Sequence, residues 1–134
     1  YDTLVEDLIN KMTPDALELF EYIAEYNDLD TIEMLMLYFY YDLEDYEKGV
    51  YYAKKAYEQN YYESCLLLAD AYYWGQGVEK DIEKGISYYE EGANNASLNQ
   101  HFCREVLSEI FYEDKIMDKP TVILMIIFIS QKTI

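Results

Sequence analysis

The feature that most constrains this fold is an internal repeat with a period of roughly 35 residues. Residues 45–50 read Asp-Tyr-Glu-Lys-Gly-Val, and residues 81–86, which lie 36 positions later, read Asp-Ile-Glu-Lys-Gly-Ile. One copy earlier, residues 23–27 resemble residues 56–60 at an offset of 33. A period in this range with two helices per unit is typical of a helical solenoid, in which each unit packs on its neighbours.

The spacing of apolar residues predicts helices throughout the chain. Thr13 precedes Pro14, a pair that favours a helix start because threonine can cap and proline fits the first helical position. The chain contains only 2 Pro and 5 Gly, which argues against a many-stranded sheet. We therefore predict one all-α domain over residues 1–134, a helical-hairpin repeat solenoid of about seven or eight helices. The main predicted helices cover about 14–24, 31–41, 45–59, 63–74, 81–92 and 100–112.

The charge of the chain favours some partners and excludes others. Its 27 acidic residues outnumber its 10 Lys and Arg residues and give a formal net charge of −17. Such a field repels nucleic acid and anionic membranes, so we predict neither as a ligand. It attracts basic proteins, although an acidic surface also serves solubility alone.

A longer motif at residues 64–93 resembles one Sel1-like repeat, of the tetratricopeptide-like class. It contains Leu68-Ala69, Tyr72 and then Gly75-Gln76-Gly77-Val78, followed by Asp81, Lys84-Gly85, Tyr88-Tyr89 and Gly92-Ala93. Ala69 stands where the family usually has Gly, and Gly85 stands where it usually has Ala. Both residues are small, so we expect these exchanges to change little. Residues 31–60 and 100–131 are interpreted as degenerate copies.

The resemblance implies a groove lined by the first helix of each pair. Tetratricopeptide-like arrays use positions at fixed offsets from the conserved leucine, which here corresponds to Leu35, Leu68 and Leu107. The implied set is rich in aromatic rings and carboxylates, which suits a basic partner. The alternative is that these rings only pack between helices. The candidate residues are Leu37, Tyr40, Tyr41, Leu66, Asp70, Tyr73, Trp74, Glu105, Glu109 and Tyr112, with Glu33 and Glu113 at the same offsets.

The functional prediction is a non-catalytic module that binds a partner protein, because many Sel1-like proteins are adaptors. A bacterial immunity protein that neutralises a cognate toxin is the alternative suggested by the small size and strong charge. A hydrolase of the cysteine-rich Sel1-like type, which acts on β-lactams, is less favoured. Those relatives carry a disulfide within each repeat, whereas Cys65 and Cys103 fall in different repeats.

The sequence shows no nucleophile elbow, phosphate loop or set of metal ligands, so we predict no enzymatic activity, no cofactor and no metal. We expect both cysteines to be buried as small apolar residues. A cytoplasmic location is favoured, with a removed N-terminal leader as the alternative because the chain begins with Tyr1.

The C-terminal region contains a run of apolar residues at positions 121–129 that is too short to span a bilayer, which needs about 20 residues. Its β-branched residues suit a buried strand, but its place in the repeat favours a closing helix buried on several sides. A further possibility is self-association through this run, because an uncovered apolar run is an association site.

Overall fold

The computed structural model describes residues 11–117, Leu124 and residues 127–131. These residues contain helices and no strand, which confirms the all-α class. A π-helix, Tyr38–Asp42, continues the second α-helix directly. Each helix packs on its neighbour along the chain, and this confirms the helical repeat solenoid. The α-helices are α1 (Pro14–Ala24), α2 (Leu29–Leu37), α3 (Tyr46–Glu58), α4 (Ser64–Trp74), α5 (Ile82–Asn95) and α6 (Gln100–Met117).

Side-chain caps explain where four of the helices begin. The Thr13 hydroxyl accepts the Ala16 N–H at the start of α1. Asp45 and Asp81 occupy the same position in successive repeats, and each accepts a backbone N–H three residues later, at 3.3 and 3.1 Å. Asp28 caps α2 in the same way, so α2 begins at Leu29, two residues before its predicted start.

Left-handed backbone conformations follow the ends of three helices. Asn27 and Asn60, which the repeat aligns, both have φ of 61°. Asparagine tolerates this conformation better than most residues. Gly75 ends α4 at φ 73° and Gly77 follows at 79°, as expected for the glycine loop.

The two central repeats each contain a stacked pair of aromatic rings at the same place in the core. The Phe39 and Tyr52 ring centroids are 5.8 Å apart, and those of Tyr72 and Tyr88 are 5.7 Å apart. In each repeat a lysine ammonium lies over the first ring of the pair, at 5.0 and 4.5 Å from its centroid. The repeated lysine therefore covers an aromatic pair of the core. These lysines are Lys48 and Lys84.

Glycine allows a close approach between helices at another repeated position. A Cβ added at Gly49 would lie 2.6 Å from the Tyr40 Cβ, and one at Gly85 would lie 2.8 Å from the Tyr73 nitrogen. Our expectation that glycine and alanine are equivalent at position 85 is therefore wrong for this chain. The backbone of α4 fills the space that an alanine methyl group would need.

The two cysteines are fully buried and free, as expected. Both lie against Gly92, where an added Cβ would be 2.6 Å from the Cys103 sulfur and 3.2 Å from the Cys65 Cβ. Burial raises the pKa of Cys65 to about 12 and that of Cys103 to about 11. Neither thiol is therefore ionised near neutral pH.

The C-terminal apolar run is described in part. Leu124 and residues 127–131 are helical, which favours the predicted helix over a strand at these positions. The expected burial on several sides is not observed, because Leu124, Ile127, Phe128 and Ile129 are about half exposed or more. Apolar character predicts burial only where another element covers the residue. The rest of the run lies outside the described residues.

Candidate functional site

A cleft rich in aromatic rings opens where the π-helix and the start of α3 face the C-terminal end of α4. Its volume is about 420 Å³. The lining combines four aromatic rings, two carboxylates and one amide, and contains no lysine or arginine. We call it the aromatic cleft, and its lining residues are Tyr40, Tyr41, Glu44, Tyr46, Asp70, Trp74 and Gln76.

A second cleft, of about 360 Å³, adjoins the first, because Tyr41 lines both. Its lining is mainly apolar, and Glu33 and Glu63 contribute carboxylates. We call it the apolar cleft and refer to the two together as the groove. The apolar cleft is lined by Glu33, Met36, Leu37, Tyr41, Tyr61, Glu63, Leu66, Leu67, Leu98 and Asn99.

Most candidates on α2, the π-helix and α4 converge on this groove. Tyr40, Tyr41, Asp70 and Trp74 line the aromatic cleft, and Leu37 and Leu66 line the apolar cleft. Glu33, at the same helical offset, also lines the apolar cleft.

The remaining candidates lie outside the linings of the two clefts. Tyr73 is only partly exposed, since its ring packs edge-on against Tyr89 at 6.1 Å and α5 covers its backbone at Gly85. Glu105, Glu109 and Tyr112 are exposed on α6, as is Glu113 at the same offset. Glu105 lies 3.3 Å from the His101 imidazole.

Several lining residues were not predicted, because the offsets of tetratricopeptide-like arrays cover only positions on the first helix of each pair. Glu44 and Gln76 belong to the loops between helices, and Tyr46 begins the second helix of its pair. Glu44 has φ of 52°, and Gln76 lies between the two left-handed glycines. Gly75 and Gly77 belong to the repeat motif, but their place in the sequence does not indicate which cleft Gln76 lines.

Hydrogen bonds fix two walls of the aromatic cleft. The Tyr40 hydroxyl donates to the Gln76 side-chain oxygen at 2.7 Å. The Tyr89 hydroxyl donates to one carboxylate oxygen of Asp70. Within the described residues, the other Asp70 oxygen accepts no hydrogen bond.

The electrostatics of the cleft follow from burial beside a carboxylate. Partial burial raises the pKa of Asp70, although the hydrogen bond from Tyr89 opposes this shift. Burial, reinforced by the negative charge of Asp70, raises the pKa of Tyr40 and also raises that of Tyr41 to about 12. Both tyrosines are therefore neutral near pH 7, and the single O–H of Tyr40 is donated to Gln76.

Glu63 connects the apolar cleft to the start of α6. Its carboxylate accepts the backbone N–H groups of Ser97, Leu98 and Asn99, the last two at 2.8 Å, and also the Ser97 hydroxyl at 2.9 Å. Burial alone would raise the pKa of Glu63, but these hydrogen bonds outweigh it and lower the pKa. Glu63 therefore has a structural role in this cleft.

The described part of the chain contains no group of three or more His, Cys, Asp or Glu residues placed to hold a metal ion. Among the described helices, none is long and apolar enough to cross a membrane.

Comparison with family models identifies the repeats. Residues 38–61 and residues 63–97 both match the Sel1 repeat. Both matched segments are Sel1 repeats, and together they cover less than half of the chain. This confirms the predicted family at its clearest motif and at the copy before it, whereas the proposed copy at residues 100–131 stays a prediction. No significant match was found among curated proteins or solved structures.

The repeat boundaries place the aromatic cleft at the junction of the two Sel1 repeats. The first repeat supplies Tyr40, Tyr41, Glu44 and Tyr46, and the second supplies the rest of the lining. Sel1 repeats generally mediate protein–protein interactions and are typically non-catalytic.

Proposed function

We propose that the groove binds a basic segment of a partner protein. The observation that carries the proposal is the aromatic cleft, where four rings and two carboxylates meet between two Sel1 repeats without a cation in the lining. Exposed aromatic residues supply contact energy at protein interfaces, and carboxylates select and steer a positively charged partner. The net charge of −17 extends this attraction beyond the groove.

The adjoining apolar cleft supports a partner in the form of an extended segment or a helix. Leu37 and Leu66 offer apolar contacts beside the charged cleft, and Tyr41 connects the two. An apolar residue of the partner would fill the second cleft while a basic residue enters the first. Glu105, Glu109 and Tyr112 are proposed as outer contacts because they are exposed on α6.

A capture experiment with matched variants tests this proposal. The wild-type chain and a Tyr41→Ala/Trp74→Ala variant are immobilised and exposed to extract from the native source. The control is Tyr22→Ala/Tyr26→Ala, which removes two similarly exposed rings on α1 and just after it, outside both clefts. We expect a basic protein to be retained by the wild type and the control and to be lost from the groove variant.

Retention of the same protein by the groove variant would contradict the proposal, as would an acidic prey. A toxin as prey, inhibited by one equivalent of the chain, would specify the immunity function within the same binding role.

A further inference from the structure

We infer that the aromatic cleft is a recognition site for the guanidinium group of an arginine side chain. The inference rests on the proposed function, because the arginine would belong to the basic segment of the partner. It adds the chemical identity of the group that enters the cleft and the residues that select it.

The rings of the cleft are already arranged before a ligand arrives. Tyr40 is only 3% exposed and forms one wall, and its ring lies edge-on to Tyr41 and Tyr46, each with centroids 4.9 Å apart. The hydrogen bond to Gln76 fixes the hydroxyl end of the same ring. In contrast, Tyr41 is 49% and Trp74 63% exposed, so these rings remain accessible to a ligand. A positive group is attracted to the faces of such rings.

The carboxylates of the cleft have no positive partner within the described residues. Asp70 and Glu44 form no salt bridge there, and the nearby lysines are engaged elsewhere. Lys48 contacts Glu21 and the Phe39 ring. The hydrogen bond from Tyr89 explains the position of Asp70. It does not explain why a second carboxylate and two open rings surround the same space.

The remaining lysines of the two repeats have contacts outside the lining of the aromatic cleft, and Lys80, which packs beside Gly75, lines a different cleft together with Tyr72 and Lys84. Lys54 and Lys84 both lie over the Tyr72 ring, at 5.7 and 4.5 Å from its centroid. Lys55 is 3.5 Å from Glu25. The cleft is therefore left negative by its own fold, and a cation supplied by a ligand would complete it.

Arginine fits this chemistry better than other organic cations. Its planar guanidinium is weakly hydrated, stacks on aromatic faces and presents five N–H donors. Those donors match the free Asp70 oxygen and the Glu44 carboxylate. A lysine ammonium is more strongly hydrated, and a quaternary ammonium has no donor for the carboxylates.

The single tryptophan of the chain reports on the site directly, because Trp74 lines the cleft. The whole chain is titrated with an acetylated and amidated Gly-Gly-Arg-Gly-Gly peptide, to about 10 mM because one small group binds weakly. Peptides with citrulline, lysine or trimethyl-lysine in place of arginine are titrated at the same ionic strength. Citrulline retains the shape of arginine without its charge.

We expect a saturable change in Trp74 fluorescence with the arginine peptide and at least about ten-fold weaker binding of the citrulline peptide. Asp70→Asn retains an acceptor for Tyr89, so it should fold, yet it should weaken arginine binding about ten-fold. Glu44→Gln should weaken binding about two- to three-fold, since Glu44 is more exposed. The control Glu90→Gln changes an exposed carboxylate on α5 and should leave binding unchanged.

Equal responses to arginine and citrulline would overturn the inference, as would unchanged binding in Asp70→Asn. Tighter binding of trimethyl-lysine would overturn it in favour of a site for quaternary ammonium groups. If no peptide binds but capture of a basic partner depends on Tyr41 and Trp74, the inference fails and the proposed function stands. If the arginine peptide binds but capture of the partner does not depend on Tyr41 and Trp74, the proposed function fails and the cation site stands.

Discussion

Glu63 should be one of the largest single contributors to stability in this chain. Its side chain is 8% exposed, and its carboxylate accepts four hydrogen bonds from residues 97–99. Its backbone carbonyl also accepts from the Asn99 amide at 3.2 Å. Because Glu63 precedes α4 and residues 97–99 precede α6, these bonds tie together the starts of two helices that are not neighbours in sequence.

The expected loss of stability can be worked out for Glu63→Gln, which replaces one carboxylate oxygen by an NH₂ group. Hydrogen bonds to a charged acceptor contribute about 1.5–3 kcal/mol each, and burial of the charge offsets part of that sum. Glutamine retains one acceptor oxygen, but its NH₂ group takes the place of the other. That NH₂ group then faces a backbone N–H, so at least one hydrogen bond is lost and two donors face each other. We expect the free energy of unfolding to fall by about 2–4 kcal/mol.

Urea denaturation followed by helical circular dichroism measures this difference, with Glu90→Gln as the exposed control. The pKa of Glu63 is lowered in the folded state, so its contribution is fully present above the ordinary glutamate pKa of about 4.3. It is lost as the pH falls through the lowered folded-state pKa. A loss below about 0.5 kcal/mol at pH 7, typical of surface changes, would refute the reasoning. A difference that stays constant down to pH 3 would refute it as well.

Three further predictions concern packing, thiol reactivity and pH. Gly85→Ala should lower the free energy of unfolding by about 1–3 kcal/mol although alanine has the better helix propensity, because the new Cβ would lie 2.8 Å from a backbone nitrogen of α4. Thermal unfolding measures this loss, and the control Ser87→Ala, at an exposed position, should show no comparable loss. Cys65 and Cys103 should resist a thiol reagent at pH 8 until urea unfolds the chain, and rapid modification of the native protein would contradict their burial and raised pKa values. The affinity for the arginine peptide should fall as the pH drops through the raised pKa of Asp70, and this fall should begin at a higher pH than the pKa of an ordinary aspartate. Trp74 fluorescence titrations that give the same affinity at every pH between 7 and 4 would contradict this.

The elements that the sequence predicted well are those fixed by local chemistry. Thr13, Asp45 and Asp81 start helices because each side chain accepts a backbone N–H three residues later. Gly75 and Gly77 adopt left-handed conformations that other residues avoid. These features depend on residues close in sequence, so the sequence alone is enough to predict them.

The features that were missed depend on contacts between distant residues. Gly85 differs from alanine only because the backbone of α4 lies so near. Glu44 and Gln76 line the aromatic cleft because their loops fold toward the ends of other helices. In the sequence Glu63 looks like an ordinary surface glutamate. Its role depends on the hydrogen bonds that it accepts from residues 97–99 in the folded chain.

The π-helix at Tyr38–Asp42 was also not predicted, although its hydrogen bonds join residues close in sequence. The Leu43 N–H bonds to the Tyr38 carbonyl, and the Asp45 N–H bonds to the Phe39 carbonyl. The wider turn lies in the segment where Tyr40 and Tyr41 both line the aromatic cleft. Periodicity predicted a helix to residue 41 but gave no sign of this widening.

Photo-crosslinking from inside the groove tests whether a basic partner binds there. A photoreactive phenylalanine derivative replaces Trp74 in one sample and Tyr22, an exposed ring on α1, in the other. Both chains are irradiated in extract from the native source. We expect a crosslink from position 74 to a basic protein, through an arginine-containing segment, and none to that protein from position 22. Equal crosslinking from both positions, or a product at position 22 alone, would contradict it.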